Sequence, residues 1–188
     1  MRAFIAIEAS QEVRDAVTVL VAELESRMRG ARWIPPQNLH LTLRFLGNIE
    51  GEAAAAISDE LRSLAARYAP FRVELRGIGL FPSPRRPRVL GALIPQPPRE
   101  LLLLQRQLED MVVEQGFPPE ERAFAPHLTF ARFRKPGGDL RRIQSELDSR
   151  ALGFLSVDEV IFFESALKRS GAVYHARARL PLSGAGRS

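Results

Sequence analysis

A tetrad of His-Leu-Thr followed by an apolar residue occurs twice in the chain, each time at the start of an alternating segment. The first copy begins "HLTLRFL" at His40, and the second begins "HLTFARF" at His127. Side chains i and i+2 of a β-strand project from the same face, so His40 shares a face with Thr42, and His127 shares one with Thr129. The leucine and the fourth residue point the other way. Each tetrad therefore predicts a strand with an apolar back and an imidazole-and-hydroxyl front.

The order of elements around the tetrads is also repeated. Helix, strand, helix, strand, strand occurs twice behind one leading strand, and "WIPPQN" reads as a loop. Helices are predicted over residues 10–29, 51–68, 98–116 and 139–149, and strands over 2–8, 40–46, 71–80, 88–95, 127–133, 154–164 and 172–180.

The repeated order predicts an α+β fold with mostly antiparallel sheet. We expect residues 1–182 to form one bilobal domain in which two pseudo-repeated lobes, with outer helices, surround a central cleft. The lobes would span roughly residues 1–96 and 97–182. We expect residues 183–188, "SGAGRS", to be a disordered tail.

Composition places the chain among ordinary globular proteins. It has 188 residues, of which 45% are hydrophobic and 26% charged, enough for one substantial core. The absence of cysteine excludes disulfides and thiolate metal sites. The N-terminal apolar run is too short for a signal peptide, and no stretch approaches 18 apolar residues. We expect a cytoplasmic monomer that does not contact a membrane.

The charge is positive, with a formal net charge of +5. That balance favours an anionic partner such as RNA or a phosphate ester. All but two of the basic residues are arginine, so the excess is equally consistent with a bias of genome composition. The segments "PSPRRPR" and "RFRK" are either guides for RNA phosphates or ordinary solvated loops.

The paired fronts suit in-line displacement at phosphorus if a pseudo-twofold axis brings them together across a cleft. One neutral imidazole takes a proton from water, and the opposite imidazolium gives a proton to the departing oxygen. The threonine hydroxyls donate hydrogen bonds to the oxygens on which charge accumulates. This scheme requires neither a metal ion nor another cofactor. The alternative is that both histidines are ordinary residues kept on duplicated strands.

Five segments resemble one known group of proteins. They are "LHLTLRFLG", "APHLTFAR", the opening "RAFIAI", "PRV" at residues 87–89 and "ESALKRSGAVY". Together they are similar to the 2H phosphoesterase superfamily, and within it to the RNA 2',3'-cyclic phosphodiesterases, also called 2'-5' RNA ligases. The resemblance implies hydrolysis of a terminal 2',3'-cyclic phosphate to a 2'-phosphate. It also implies reversible, ATP-independent joining of RNA ends through a 2'-5' linkage.

The resemblance also implies roles for single residues. By position, His40 matches the proton donor and His127 the proton acceptor. Thr42 and Thr129 match threonines that bind the phosphate, and Arg132 matches an arginine near it. The implied partners are RNA ends or nucleotides that carry a 2',3'-cyclic phosphate.

Two arginines compete for a place beside the phosphate. Strict alternation from His127 puts Arg132 on the apolar back of its strand, so a bulge or an early strand end is needed to turn it inward. Alternation from His40 puts Arg44 on the site face, but the resemblance fixes no arginine there. We rank Arg132 above Arg44.

Other residues carry weaker indications. His175 is the third histidine and is expected on a polar strand face. Three histidines are a known zinc set, but their spacing here does not favour one. Trp33 is either a surface on which a base stacks or a packing anchor.

Two other functions are compatible with the tetrads. One is an RNA-end binding protein that has the cleft but no turnover. The other is a sister 2H activity that opens ADP-ribose 1'',2''-cyclic phosphate. A panel of substrates separates these from the cyclic phosphodiesterase.

Overall fold

A computed structural model describes residues 1–168 and 171–185 of the chain. Its helices are α1 (Gln11–Leu24), α2 (Gly51–Ala65), α3 (Arg99–Glu114) and α4 (Leu140–Glu146), with a short 3-10 helix at Pro36–Asn38. Its strands are β1 (Arg2–Glu8), β2 (Arg29–Trp33), β3 (His40–Asn48), β4 (Phe71–Arg76), β5 (Ile78–Phe81), β6 (Val89–Leu93), β7 (His127–Gly137), β8 (Ala151–Val157), β9 (Glu159–Lys168) and β10 (Gly171–Pro181).

One large sheet organises the molecule. Its strand order is β10-β9-β1-β3-β7-β6-β5, with β2 added against β7, while β4 and β8 form a separate two-stranded sheet. Every pairing among the described residues is antiparallel. The predicted α+β class with mostly antiparallel sheet is confirmed.

The two halves of the chain are interlaced within this sheet. The late strands β9 and β10 extend the sheet from β1, whereas the early strands β5 and β6 extend it from β7. The lobe boundary predicted near residue 96 therefore does not divide the sheet. Each side of the sheet draws strands from both halves of the sequence.

The first helix is shorter than predicted. Ser10 caps it by accepting a hydrogen bond from the Val13 N–H, but the helix ends at Leu24 instead of residue 29. Residues Arg29–Trp33 form β2, a strand that was not predicted from the sequence. Gly30 has φ +74°, and a Cβ there would lie 2.0 Å from the Lys135 carbonyl oxygen. This glycine allows β2 to approach β7 closely enough to pair.

Two predicted strands are each divided in the structure. Residues 71–80 split at Gly77, which has φ +72°, and residues 154–164 split at Asp158. Only β5 pairs with β6 as the predicted hairpin requires, because β4 pairs with β8. The chain bends here so that one strand of each pair leaves the large sheet.

The predicted tail is described in part. Residues 186–188 lie outside the described residues, as do residues 169 and 170 of the turn between β9 and β10. Gly184 donates its N–H to the Tyr68 carbonyl at 2.9 Å, so the start of the tail is bound to the body of the protein. None of the described helices has the length and apolar character needed to cross a bilayer.

The sheet buries apolar residues on both faces. The main core lies between one face and the helices, and it includes Ile5, Leu41, Leu128 and Phe130. A smaller cluster lies on the opposite face. It consists of Phe4, Ala6, Ile161 and Phe163, with Tyr174 packed against it.

Candidate active site

The two tetrads meet where β3 and β7 pair. Leu41 pairs with Leu128 in antiparallel register. Continuing that register places the histidine of each tetrad opposite the threonine of the other, all on one face of the sheet. His40 and His127 are then diagonal neighbours, a relationship that spans about 7–8 Å. One cleft of about 750 Å³ is lined by His40, Thr42, His127 and Thr129.

Both imidazoles are held in the same way. His40 Nδ1 lies 2.7 Å from the Asn38 carbonyl oxygen, and His127 Nδ1 lies 2.8 Å from the Ala125 carbonyl oxygen. A carbonyl only accepts, so each Nδ1 carries the hydrogen. Nε2 is left on each ring as the nitrogen that a ligand in the cleft can use. The tetrad pattern of the sequence did not reveal these carbonyl contacts.

His40 lies in an aromatic enclosure. Its ring centroid is 4.9 Å from that of Phe4, and Tyr174 meets it edge-on at 5.2 Å. Both aromatic residues belong to the smaller apolar cluster. His40 is therefore partly buried.

Burial is the main influence on the protonation of His40, and it lowers the pKa below the ordinary value of 6.5. The hydrogen bond to the Asn38 carbonyl acts in the opposite direction. The positive charge of Arg132 lowers the pKa further, and the negative charge of Glu8 raises it. The net direction is downward, so His40 in the free protein is mainly neutral at pH 7.

His127 lies against a different wall of the cleft. Its ring stacks on Phe81 with centroids 4.2 Å apart and planes 23° apart. Behind it, Gly91 of β6 leaves room for the ring, because a Cβ at Gly91 would lie 3.0 Å from His127 Cδ2. A glycine inside a predicted strand is the sequence signal for such a close approach, although the sequence analysis did not use it.

A bulge in β7 turns Arg132 toward the cleft. Consecutive residues of β6 pair with Thr129 and Ala131, so Phe130 between them is an extra residue. Phe130 and Ala131 are both buried, and the alternation changes phase at this point. Arg132 consequently lines the cleft. The sequence analysis had concluded that a bulge or an early strand end is needed to turn Arg132 inward, and this bulge is such an irregularity.

A matching bulge in β3 has the opposite consequence for Arg44. Consecutive residues of β1 pair with Thr42 and Arg44, which leaves Leu43 as the extra residue. Strict alternation from His40 therefore does not describe the position of Arg44, which lines the cleft but lies mostly buried behind it. Arg44 is 7% exposed, less than any other charged residue in the described part of the chain. Phe45 follows it and stands 51% exposed in the cleft.

Arg44 instead ties three segments together. Its Nε lies 2.7 Å from Glu109 Oε2 of α3, as an ion pair whose N–H does not point at the oxygen. Its Nη1 lies 2.7 Å from Glu120 Oε1, and its Nη2 donates to the Pro118 carbonyl. The Glu120 N–H donates to Glu109 Oε1 at 2.8 Å, which closes the ring. This network anchors the loop between α3 and β7, a wall of the cleft.

A family model described as LigT like Phosphoesterase matches residues 7–91 and again residues 93–174. Each match contains one tetrad. The chain belongs to the LigT-like phosphoesterase family. The resemblance to 2H phosphoesterases drawn from the sequence is confirmed.

Relatives of this LigT-like phosphoesterase span nearly its whole length. An RNA 2',3'-cyclic phosphodiesterase of Methanothermobacter thermautotrophicus is 34% identical, over 93% of this chain and 95% of its own. The RNA 2',3'-cyclic phosphodiesterase of Thermus thermophilus is 32% identical, over 98% and 91%.

Solved structures agree with the fold. The crystal structure of a Thermus thermophilus protein, TT0787, superposes with a TM-score of 0.85 at 31% identity, covering 98% of this chain and 99% of that one. The crystal structure of E. coli LigT complexed with 3'-AMP gives a TM-score of 0.75 at 27% identity, covering 97% and 98%.

The remaining sequence candidates lie elsewhere in the LigT-like phosphoesterase. His175 is exposed on β10 and follows Tyr174, which faces the cleft, so His175 projects from the other side of the strand. Within residues 1–168 and 171–185, no three His, Asp or Glu side chains converge as metal ligands. Trp33 stacks on buried Phe130 with centroids 6.5 Å apart, in keeping with a packing anchor.

The cleft also contains residues that the sequence analysis did not single out. Of the two basic segments, Arg88 from the first and Arg132 from the second reach it. The aromatic lining was missed because strand alternation gives no sign of which distant strands adjoin a tetrad. The aromatic lining residues are Phe45, Phe81, Phe124 and Tyr174, and Arg122 lines the cleft as well.

Proposed function

We propose that this LigT-like phosphoesterase hydrolyses the 2',3'-cyclic phosphate at the 3' end of RNA to a 2'-phosphate. One observation carries the proposal. Two imidazoles from distant segments, each with Nδ1 occupied by a backbone carbonyl, line one cleft as diagonal neighbours. The relatives named RNA 2',3'-cyclic phosphodiesterase support the choice of substrate.

The reaction divides between the two histidines. His127 Nε2 accepts a proton from water as the water oxygen bonds to phosphorus. The bond from phosphorus to O3' breaks in line, and His40 Nε2–H protonates the departing O3'. The product carries a 2'-phosphate and a free 3'-hydroxyl. His40 ends neutral and His127 ends charged, and exchange with solvent restores both.

The low pKa of His40 fits the role of proton donor once substrate is present. Burial keeps the ring mainly neutral in the free protein. A phosphodiester anion beside the ring favours the imidazolium, because an opposite charge raises the pKa of a base. The donor is thus charged when there is an oxygen to protonate, and its low intrinsic pKa makes it a strong acid.

The other lining groups stabilise the negative charge that builds up on the phosphate oxygens in the transition state. The hydroxyls of Thr42 and Thr129 donate to the non-bridging oxygens from opposite sides of the pseudo-twofold axis. The guanidinium of Arg132 supplies a positive charge on the same face. Ligation uses the same groups, with the 5'-hydroxyl of a second RNA in place of water. Cytoplasmic location and a monomeric state remain predictions from the sequence.

The test is the incubation of the protein with an RNA that ends in a 2',3'-cyclic phosphate, followed by mass analysis and assignment of the phosphate position. We expect a 2'-phosphate, product formation by His40→Ala and His127→Ala that is slower by roughly 10²–10⁴, and full activity in chelator. Tight binding without product would instead support an RNA-end binding protein. A preference for ADP-ribose 1'',2''-cyclic phosphate in a substrate panel would support the sister activity, and a 3'-phosphate would contradict the assigned roles.

A further inference from the structure

A second hollow opens beside the active-site cleft, next to His40. Its volume is about 360 Å³, which lies within the range of about 300–1,000 Å³ typical of small-ligand sites. It shares His40, Phe45, Arg132 and Tyr174 with the cleft. A ligand that has its reacting phosphate between the histidines can therefore continue into the hollow without a break.

Apolar side chains form part of the wall of this hollow. Phe45 is 51% exposed and Leu167 is 76% exposed. Phe4 supports the aromatic side, with ring centroids 5.9 Å from Phe45 and 5.0 Å from Tyr174. Large apolar side chains left in water at one concave place mark a surface for a ligand. Flat aromatic faces in such a place suit a stacked base.

The polar part of the wall is cationic. Arg2 and Arg132 line the hollow, together with the hydroxyl-bearing Ser165, and none of the lining residues that the structure describes is Asp or Glu. In the part of the chain that the structure describes, neither arginine lies within ion-pair distance of a carboxylate. Guanidinium groups beside aromatic faces, with no acidic partner among the described residues, suit a ligand that combines a phosphate with a base.

We propose that the hollow binds the nucleotide on the 5' side of the terminal one. The inference rests on the proposed function, because it takes the cyclic phosphate to lie between His40 and His127. The base of that nucleotide packs against Phe45 and Leu167, and the phosphate that joins the two nucleotides lies near Arg2. The site therefore takes an oligonucleotide end and not only its last nucleoside.

The test compares a 2',3'-cyclic mononucleotide with a dinucleotide that has the same terminal nucleoside and cyclic phosphate. We expect the dinucleotide to have a KM about ten-fold lower in the wild-type protein. Arg2→Gln and Leu167→Ser should abolish this advantage and leave kcat/KM for the mononucleotide within about two-fold of wild type. Arg141→Gln and Val19→Ser, on exposed helix surfaces, are the matched controls and should keep the advantage.

Equal KM values for the two substrates in the wild-type protein would overturn the proposal. So would an equal loss for both substrates in Arg2→Gln, since the hollow would then hold the terminal nucleoside. Mononucleotide turnover tests the proposed function separately. If neither substrate is turned over, calorimetric binding of the dinucleotide 2'-phosphate and the mononucleotide 2'-phosphate decides. About ten-fold tighter binding of the dinucleotide, lost in Arg2→Gln, would support the subsite, and equal binding would overturn it.

Discussion

Phe45 and Arg132 occupy corresponding positions in the two halves of the cleft. Each lies five residues after the histidine of its tetrad and follows a bulge at the residue after the threonine. Both side chains line the cleft. The pseudo-symmetry of the two tetrads therefore ends here, with an aromatic ring on one side and a cation on the other. The aromatic side of the cleft suits the base of a substrate, and the cationic side suits its phosphate.

The first prediction concerns the cation of this pair. Arg132→Gln removes a positive charge from the face that carries both histidines, so we expect kcat for a 2',3'-cyclic mononucleotide to fall by roughly 10²–10³. Arg134→Gln, two residues further along β7 and outside the cleft lining, is the control and should stay within about two-fold of wild type. Equal losses of kcat in the two variants would mean that Arg132 contributes only to the net charge of the protein and makes no specific contact with the phosphate.

The second prediction concerns the protonation of His40. Its pKa in the free protein should lie below 6.5, mainly because of burial. Arg132→Gln should raise this pKa, since it removes a charge that opposes the imidazolium, and added inorganic phosphate should raise it as well. NMR titration of the imidazole signals measures both shifts. A His40 pKa at or above 6.5 in the free wild-type protein would contradict the structure.

The same pKa has a consequence for stability. The unfolded chain takes up the His40 proton near pH 6.5, but the folded protein takes it up only at lower pH. The free energy of unfolding should therefore fall as the pH drops through 6.5 and below it, and His40 should add no slope well above that value. Denaturant unfolding of wild type and His40→Gln at several pH values measures the difference. If the free energy of unfolding changes with pH in the same way in both proteins below pH 6.5, burial does not lower the pKa of His40.

A third prediction follows from the space behind His127. Gly91→Ala places a methyl group 3.0 Å from His127 Cδ2 and 3.2 Å from the Leu128 carbonyl oxygen, so the ring or the strand that carries it must shift by a few tenths of an ångström. We expect kcat/KM to fall about ten-fold or more, because small displacements of a catalytic group are costly. Gly51→Ala, where an added Cβ meets nothing within 4 Å, is the control and should retain full activity. A fully active Gly91→Ala would show that the His127 ring is free to adjust.

The fourth prediction concerns Arg44. Arg44→Met leaves Glu109, which is 20% exposed, without its partner. We expect the free energy of unfolding to fall by about 1–3 kcal/mol, less than for a fully buried pair, because Glu120 retains contact with water. Arg62→Met breaks an exposed ion pair on α2 and should change stability by less than about 1 kcal/mol. Equal effects in thermal unfolding would show that the Arg44 network stabilises nothing.

The sequence predicted the tetrad strands well, because local alternation determines which side chains share a face. His40, Thr42, His127 and Thr129 line one cleft, but they do so from paired strands of one sheet and not from two fronts that face each other across the cleft. Local alternation could not predict the bulges, because a residue is extra only in relation to the register of its partner strand. That is why alternation failed for Arg44 and needed an exception for Arg132.

Long-range pairing explains the other differences. Residues 29–33 have only a short apolar alternation, Ala31 and Trp33, and they form β2 against the part of β7 that lies beyond its pairing with β3. Residues 71–76 pair with β8 from the far end of the chain and not with the adjacent segment. Such choices depend on the packing of the whole sheet, and this packing also brings Tyr174 and Phe81 to the histidines.

Whether His40 and His127 act as one unit on a single phosphate is tested most directly by kcat/KM for a 2',3'-cyclic mononucleotide. The measurement uses His40→Ala, His127→Ala and the double variant. We expect each single change to lower the rate by roughly 10²–10⁴, and the double variant to be no slower than about the worse single variant. Losses that multiply in the double variant, or a single variant with unaltered turnover, would contradict a shared phosphate between the two imidazoles.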